Sequence, residues 1–362
     1  MAFTFGGKYR LEEEIGYGGC GTVFMGVHTV AGKEVAIKVE DAKQKHSMLK
    51  QESKIYKTLM GGPGVPWIMW SGKQGDYNVM VIDLLGPSLE DLFHVCNKHF
   101  TLKTVLLLAD QLISLIEFIH SRDWVHRDIK PANFLMGSDA YTVPPSPSAS
   151  RVNVIDFGFA KKYADPLTKT HIPFSRDENH GVGTPLFASI NTHRGEECSR
   201  RDDLESLAYT LIYFLRGTLP WRKLKSSPTN TNTNTTASTA APSTPKQVWD
   251  RILASKLLAE SSTPSPLTAG LPEEFDIFYR YARGLEFGDL PDYRGCRTLF
   301  RRLALRKGIV YDGKFDWSVG GGHGGSGTVG RAAGGGGGRR RKGCEACEAK
   351  AAMLEASSGK RS

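Results

Sequence analysis

The stretch VHRDIKPANFL, residues 125–135, brings Asp128, Lys130 and Asn133 together within one short loop. A carboxylate at Asp128 can accept the proton of an attacking hydroxyl, and an ammonium at Lys130 can neutralise charge on a moving phosphoryl group. The amide oxygen of Asn133 is a hard ligand of the kind magnesium prefers. About 28 residues on, the DFG string at 156–158 supplies a second hard oxygen at Asp156. Upstream, IGYGGCGTVFMG (15–26) sets Gly16, Gly18 and Gly21 in a G-x-G-x-x-G pattern with Val23 two positions further. Glycines there let the backbone close over phosphates with no Cβ in the way. Taken alone, the pattern also suits a dinucleotide-binding turn or a hairpin with no ligand. A dinucleotide fold wants a helix directly after the glycines, whereas TVFMGVHTV reads as a strand. VAIK (35–38) follows on the next strand, putting Lys38 in reach of the α- and β-phosphates of a nucleotide, and Glu52 can hold that ammonium by an ion pair. These motifs, in this order and spacing, imply phosphoryl transfer from ATP with Mg2+.

The elements that must position these groups fall into two regions. RLEEEIG, TVFMGVHTV, EVAIKVE and YNVMVID, all before about residue 90, cluster or alternate β-branched and apolar residues between glycine breaks, as strands do. One helix is expected among them, roughly 45–60, with Leu49, Ser53, Tyr56 and Leu59–Met60 on one face. Beyond residue 90 helices dominate. TLKTVLLLADQLISLIEFIHSR (101–122) is apolar nearly all round, the mark of a buried helix. DDLESLAYTLIYFLRG (202–217) is another, stopped by Gly217 and Pro220. The expectation is an α+β, bilobal protein-kinase fold with a small β-rich N-lobe, about 9–85, and a larger α-helical C-lobe, about 86–317. Residues 1–8 are then an N-terminal extension and 318–362 a Gly-rich basic tail.

Composition narrows the function class. The chain has 362 residues and a net charge of +9, but residues 319–362 hold eight Lys or Arg against three Glu. More than half of the excess charge therefore sits in a short tail, which argues against a dedicated nucleic-acid-binding domain. No apolar run approaches the roughly 20 residues needed to span a bilayer. The start, MAFTFGGKYRLEEE, has no apolar signal core, so a cytoplasmic protein is expected, with a nuclear share if the RRRK run (339–342) is an import signal. That run is equally readable as an acidic-surface contact or as solvated charge. The six cysteines are scattered and read as reduced thiols; Cys344 and Cys347 form a lone CxxC, a weak zinc signal. Cys20, at the tip of the glycine loop, is either an oxidisable thiol near ATP or simply a small residue. Residues 138–150 and 226–245, rich in Ser, Thr, Pro and Asn, and the glycine run 319–343 leave ordering entropy unmet and read as disordered inserts and tail. CEACEAKAAMLEA (344–356) is too short for a stable lone helix.

Further strings carry a family resemblance. LLGPSLEDLF (84–93), HRDIKPxNFLMG (126–137), SINTH (189–193), SRRDDLESL (199–207) and PDYRGCRTLFRRL (291–303) resemble the casein kinase 1 family, as do ESKIYK, GDYNVMV, HIPF and LPW. The resemblance covers roughly 8–317 outside the two inserts. It implies a monomeric, ATP-dependent serine/threonine kinase that prefers acidic or already phosphorylated protein substrates and needs no activation-loop phosphorylation. It further implies adenine gripped at Asp83 to Leu85, through the Leu85 N–H, with Ile82 as gatekeeper. Ile15, Val23, Ala36, Leu135 and Ile155 would then sandwich the purine, although as residues they are equally well explained as core. Asp203 would steady the catalytic loop from a buried helix, the alternative being an ordinary helix cap. A scaffold protein is a possible partner, and a pseudokinase scaffold is the competing function, though no defect is visible at Lys38, Glu52, Asp128, Asn133 or Asp156. Tau-tubulin kinases fit the SINTH and GPSLEDLF strings less well, and aminoglycoside-type phosphotransferases lack this activation segment.

Several positions depart from the family pattern. Ala132 replaces an acidic residue on the side facing the peptide, which should change substrate contacts and leave the chemical step intact. Phe159 and Ala208 read as packing changes. Leu186 stands where an Arg is expected and Asn179 where Lys is frequent, leaving Gly217 and Lys225 as the remnant of a substrate-anion pocket. His180, Arg176 and Arg200 are near enough in sequence to compensate. A guanidinium grips phosphate with paired, charge-assisted hydrogen bonds, so its loss weakens the preference for primed substrates. Leu186→Arg is therefore expected to raise transfer to a phosphorylated peptide more than to its unphosphorylated twin, and equal changes would remove the idea.

Overall fold

The computed structural model describes residues 4–18, 21–44, 46–138, 150–177, 181–225, 244–262 and 265–318. The interiors of the expected inserts, the glycine-rich tail with its RRRK run, the Cys344–Cys347 pair, the helix expected at 344–356, and Cys20, Asn179 and His180 lie outside the described residues.

In chain order the elements are β1 (Thr4–Phe5), β2 (Tyr9–Gly18), β3 (Gly21–His28), β4 (Glu34–Asp41), α1 (Met48–Leu59), β5 (Ile68–Gln74) and β6 (Tyr77–Asp83). Then come α2 (Leu89–Val95), α3 (Leu102–Ser121), β7 (Trp124–Val125), β8 (Phe134–Met136), β9 (Val152–Val154) and β10 (Lys161–Lys162). The remainder is helical: α4 (Ile190–His193), α5 (Arg200–Arg216), α6 (Pro245–Ser261), α7 (Glu273–Gly284) and α8 (Tyr293–Arg306). A strand-rich first part and a helical second part make this an α+β fold, as expected. The chain divides into two compact units, one running to Pro87 and including Leu135–Gly158, the other comprising Ser88–Phe134 and the chain from Phe159 on.

In the first unit an antiparallel sheet runs β1-β2-β3-β4-β6-β5. The period of two in β4 sorts its residues by face: Val35, Ile37 and Val39 enter a cluster with Phe5, Tyr9, Phe24, Val79 and Val81, while Ala36 and Lys38 take the other face. Within the stretch expected to be an N-terminal extension, Thr4 and Phe5 form β1, pairing Phe5 with Tyr9, and Phe5 is completely buried. β5 was not legible as a strand; IMWSGKQ has little alternation, and it forms by pairing with β6 at the sheet edge. The helix expected over 45–60 is α1. It starts where the Ser47 side chain accepts from the Lys50 N–H and ends before Met60, which is exposed rather than on the buried face.

In the second unit α3 packs against α5 and α8, and α5 against α7. Twelve of the twenty residues of α3 are buried, as an all-round apolar sequence requires. Phe93, Phe100, Tyr213 and Phe214 close one end with ring centroids 4.6–5.6 Å apart. α5 ends at Gly217, whose φ of +80° is a left-handed cap and whose missing Cβ would meet the Lys98 carbonyl at 2.9 Å. The second insert ends sooner than expected: Thr244 caps α6 and Pro245 is its first residue. Among the described residues, no helix is long and apolar enough to cross a membrane.

Candidate active site

The first unit gathers the nucleotide-facing residues. Lys38 Nζ donates to Glu52 Oε2 at 2.7 Å and to Asp156 Oδ1 at 3.3 Å. The ion pair expected from sequence is thus present, and Asp156 joins it. Its placement follows from β4: Glu40, two residues after Lys38 and on the same face, accepts from the Ser47 hydroxyl and from the Leu49 N–H at the start of α1. The helix is pinned there at its N-terminus, where backbone N–H groups lack intrahelical acceptors. One turn later it presents Glu52. Burial raises the Glu52 pKa, with the Lys38 charge opposing it. Asp156 has a φ of +65°, unusual for a residue with a side chain, and its N–H donates to the Tyr56 hydroxyl at 3.3 Å. Phe157 is buried and packs edge-on to Tyr56 at 5.0 Å.

The glycines divide by task. Gly21 has a φ of +120°, and a Cβ there would lie 2.3 Å from the Val39 carbonyl, so the fold itself demands glycine. A Cβ on Gly16 would meet nothing closer than Val23 Cβ at 3.9 Å, which leaves that position open toward a ligand. Gly18 pairs with Gly21 at the end of the hairpin. Of the apolar residues expected around adenine, Ile15 is exposed, Val23, Leu135 and Ile155 are half-buried and Ala36 is buried. The Asp83 carboxylate accepts from Lys33 Nζ at 2.8 Å and from the Trp67 N–H at 2.8 Å, and its own N–H donates to the Trp67 carbonyl at 3.1 Å. Leu85 lies in the extended stretch after β6, next to Gly86, whose N–H donates to the Met136 carbonyl.

The second unit gathers the residues expected to carry phosphoryl transfer. Asp128 is 4 % exposed and fully engaged. Its Oδ1 accepts from the Thr184 hydroxyl at 2.8 Å, and its Oδ2 from Lys130 Nζ at 2.6 Å and Asn133 Nδ2 at 3.2 Å. Lys130 also donates to Thr184 Oγ1 at 3.0 Å. With its amide nitrogen turned inward, also to the Asp128 carbonyl at 2.9 Å, Asn133 keeps its oxygen for another partner. The loop is held by Asp203, which accepts from the N–H groups of His126 at 2.7 Å and Arg127 at 2.9 Å. The capping of α5 is done by Asp202 with Ser199 instead, so Asp203 is not the cap. Burial works to raise the Asp203 pKa, but hydrogen bonding from His120 and nearby His126 outweigh it and hold the carboxyl below its usual range.

A family model described as protein kinase domain matches residues 9–265. The chain belongs to the protein kinase family. Within this kinase domain, sequence reasoning missed Thr184, whose hydroxyl bridges Asp128 and Lys130, although a hydroxyl directly after Gly183 was a readable signal. It also missed Tyr56 as a support for Asp156 and Glu197 as the partner of Lys161 at 2.7 Å and of Arg127 at 4.0 Å. Ala132 is exposed between buried Pro131 and Asn133, consistent with a role outside the chemical step. Gly217 spends its N–H on the Tyr213 carbonyl, and Lys225 ends the one-turn helix Arg222–Lys225. Leu186 is buried, with its carbonyl accepting from Trp221 Nε1 at 2.8 Å. Arg200 donates to the Gly288 carbonyl and Arg176 to that of Arg194, so both are occupied elsewhere.

Two predictions follow from this geometry. Gly21→Ala lowers the thermal midpoint, because Val39 must move, whereas Gly16→Ala leaves it unchanged and raises the KM for ATP. Asp203→Asn loses one of the oxygens serving His120, His126 and Arg127. It should destabilise the domain by about 1.5–3 kcal/mol, read by denaturant unfolding, and lower kcat beyond what the remaining folded fraction explains.

Proposed function

We propose that this kinase domain is an active serine/threonine kinase of casein kinase 1 type, transferring the γ-phosphate of ATP to acidic protein substrates with a reduced preference for primed sites. The observation that carries the reading is the Asp128 carboxylate, oriented by Lys130, Thr184 and Asn133. A buried carboxylate with donors on both oxygens is pre-aligned to take the proton of a serine or threonine hydroxyl as that oxygen attacks phosphorus. Lys130, 2.6 Å from Asp128, is the nearby cation for charge on the group in transit.

The residues present suit nucleotide and metal. Ile15, Val23, Leu135 and Ile155 keep apolar surface unburied, and Lys38 is held by Glu52 in the manner a phosphate-binding ammonium needs. Asn133 in the second unit and Asp156 in the first each offer a hard oxygen of the kind magnesium prefers, and that ion when bound neutralises charge on phosphate oxygens. Independence from activation-loop phosphorylation has a physical basis in Glu197. Its carboxylate already sits on Lys161 and near Arg127, giving that basic pair an anion from the chain itself. The weakened priming rests on buried Leu186 and on the engaged N–H of Gly217.

The test is transfer from magnesium-ATP to dephosphorylated casein and to a primed and an unprimed version of one peptide. Asp128→Asn should lower kcat by about 10²–10⁴-fold with ATP binding retained, and the primed-to-unprimed ratio of kcat/KM should lie near one. A wild-type protein that binds ATP and transfers to none of these substrates overturns the reading in favour of a scaffold.

A further inference from the structure

The buried face of α6 carries Ile252, Lys256 and Ala259, and Lys256 is 1 % exposed. Lys256 Nζ donates to the carbonyl of Pro185 at 3.1 Å and to that of Ala188 in a short contact. It also lies 3.1 Å from His193 Nε2, which is itself 3.0 Å from the Pro185 carbonyl. The rings of Tyr209 and Trp221 lie 4.6 and 5.1 Å from the nitrogen. Among the described residues no carboxylate is bonded to it. Burial pushes its pKa down to about 7, with the Glu205 charge pulling it back.

That environment is costly. The unfolded chain holds the Lys256 proton more tightly than the folded one between about pH 7 and the ordinary lysine range. Folding stability therefore rises with pH across that window, and the charged form is the one disfavoured by the fold. An apolar side chain of similar length would fill the same space without the desolvation penalty. A second contact from α6 reaches the same stretch: Trp249 lies 4.6 Å from His193, and a Cβ on Gly181 would meet its ring at 2.8 Å. The stretch thus gripped, Gly181 to Ala188, contains Thr184, the residue bridging Asp128 and Lys130.

We propose that Lys256 is a positioning residue for phosphoryl transfer, holding the main chain of residues 185–188 from the buried face of α6 and thereby fixing Thr184 against Asp128. Pro185 directly follows Thr184, so a carbonyl anchored at 185 limits how far the hydroxyl can swing. Trp221 holds the intervening carbonyl of Leu186, so three of the four carbonyls from 185 to 188 are tied from below. Lys256 supplies N–H donors to the carbonyls of Pro185 and Ala188, which no apolar residue can do.

The inference rests on the kinase reading for its catalytic consequence but has a readout that does not. In the full chain, Lys256→Met should leave the thermal midpoint at or above that of the wild type. Hydrogen exchange of the amides at 186–188 should accelerate at least tenfold. The KM for a peptide substrate should rise fivefold or more, with the KM for ATP within twofold. Lys256→Gln, which keeps two N–H donors, should fall between Met and wild type on both exchange and peptide KM. A folded Met variant with unchanged exchange and peptide KM overturns the proposal, and so does loss of folding in both variants, which would make Lys256 purely structural. If the wild type transfers no phosphate, the kinase reading fails, and the exchange measurement alone decides whether Lys256 holds the segment.

Discussion

Helix α5 carries three buried carboxylates, Asp202, Asp203 and Glu205, and most of the second unit's functional geometry hangs from them. Asp203 holds two consecutive N–H groups of the catalytic loop, at His126 and Arg127. Arg127 has a φ of +68°, a conformation costing about 1–3 kcal/mol for a residue with a side chain. Charge-assisted hydrogen bonds in a buried setting are strong enough to hold that strain. His120 completes the arrangement, bonding to Asp203 through Nε2 at 2.9 Å and to the Tyr293 hydroxyl through Nδ1 at 2.6 Å. Burial lowers the His120 pKa, so near neutrality it acts as a neutral ring donating to a carboxylate.

The neighbouring carboxylates fix the next segment. Asp202 accepts from the Ser189 hydroxyl at 2.6 Å, and burial raises its pKa to about 6. Glu205 accepts from the Ile190 N–H at 2.8 Å and from the Tyr209 hydroxyl, and is balanced by Arg283 at 3.0 Å. The first unit uses the same device on a smaller scale: buried Glu40 anchors the start of α1, and buried Glu52 then meets Lys38. In both units an acidic side chain on a regular element holds a less regular piece of chain through its N–H groups or an ammonium. Removing any one of these carboxylates leaves donors unpaired in the interior, a larger loss than the hydrogen bond itself.

Much of this was legible because the chemistry sits in short, local strings. HRDIKPAN, VAIK and DFG each place their key side chains within a few residues, and periodicity alone located β2, β3, β4, β6, α1, α3 and α5. What escaped notice is what depends on distant pairing. β5 exists because β6 lies beside it, and β1 because Phe5 finds a pocket between strands far along the chain. Thr184 and Glu197 become functional only through partners more than thirty residues away. Lys256 is a middle case: its spacing from Ile252 and Ala259 puts it on the buried face, but nothing in ILASKLLA tells a buried ammonium from one that reaches solvent. Gly217, expected beside an anion, also has a structural role as the left-handed cap of α5, its N–H donating to the Tyr213 carbonyl.

The way the substrate-side segment is held separates what can vary from what cannot. Its contacts to Lys256, Trp221 and Glu205 all run through main-chain atoms, at 185, 186, 188 and 190. Main-chain anchoring is indifferent to the side chain carried at the anchored position, provided the side chain fits. The side chain at 186 can therefore change while its carbonyl stays fixed and Thr184 stays against Asp128. Ala132 is the counterpart in the catalytic loop: its exposed side chain sits between Pro131 and Asn133, whose burial and hydrogen bonds set the backbone. Side chains can thus change at 132 and 186 without disturbing the hydrogen bonds of Lys130, Thr184 and Asn133 to Asp128.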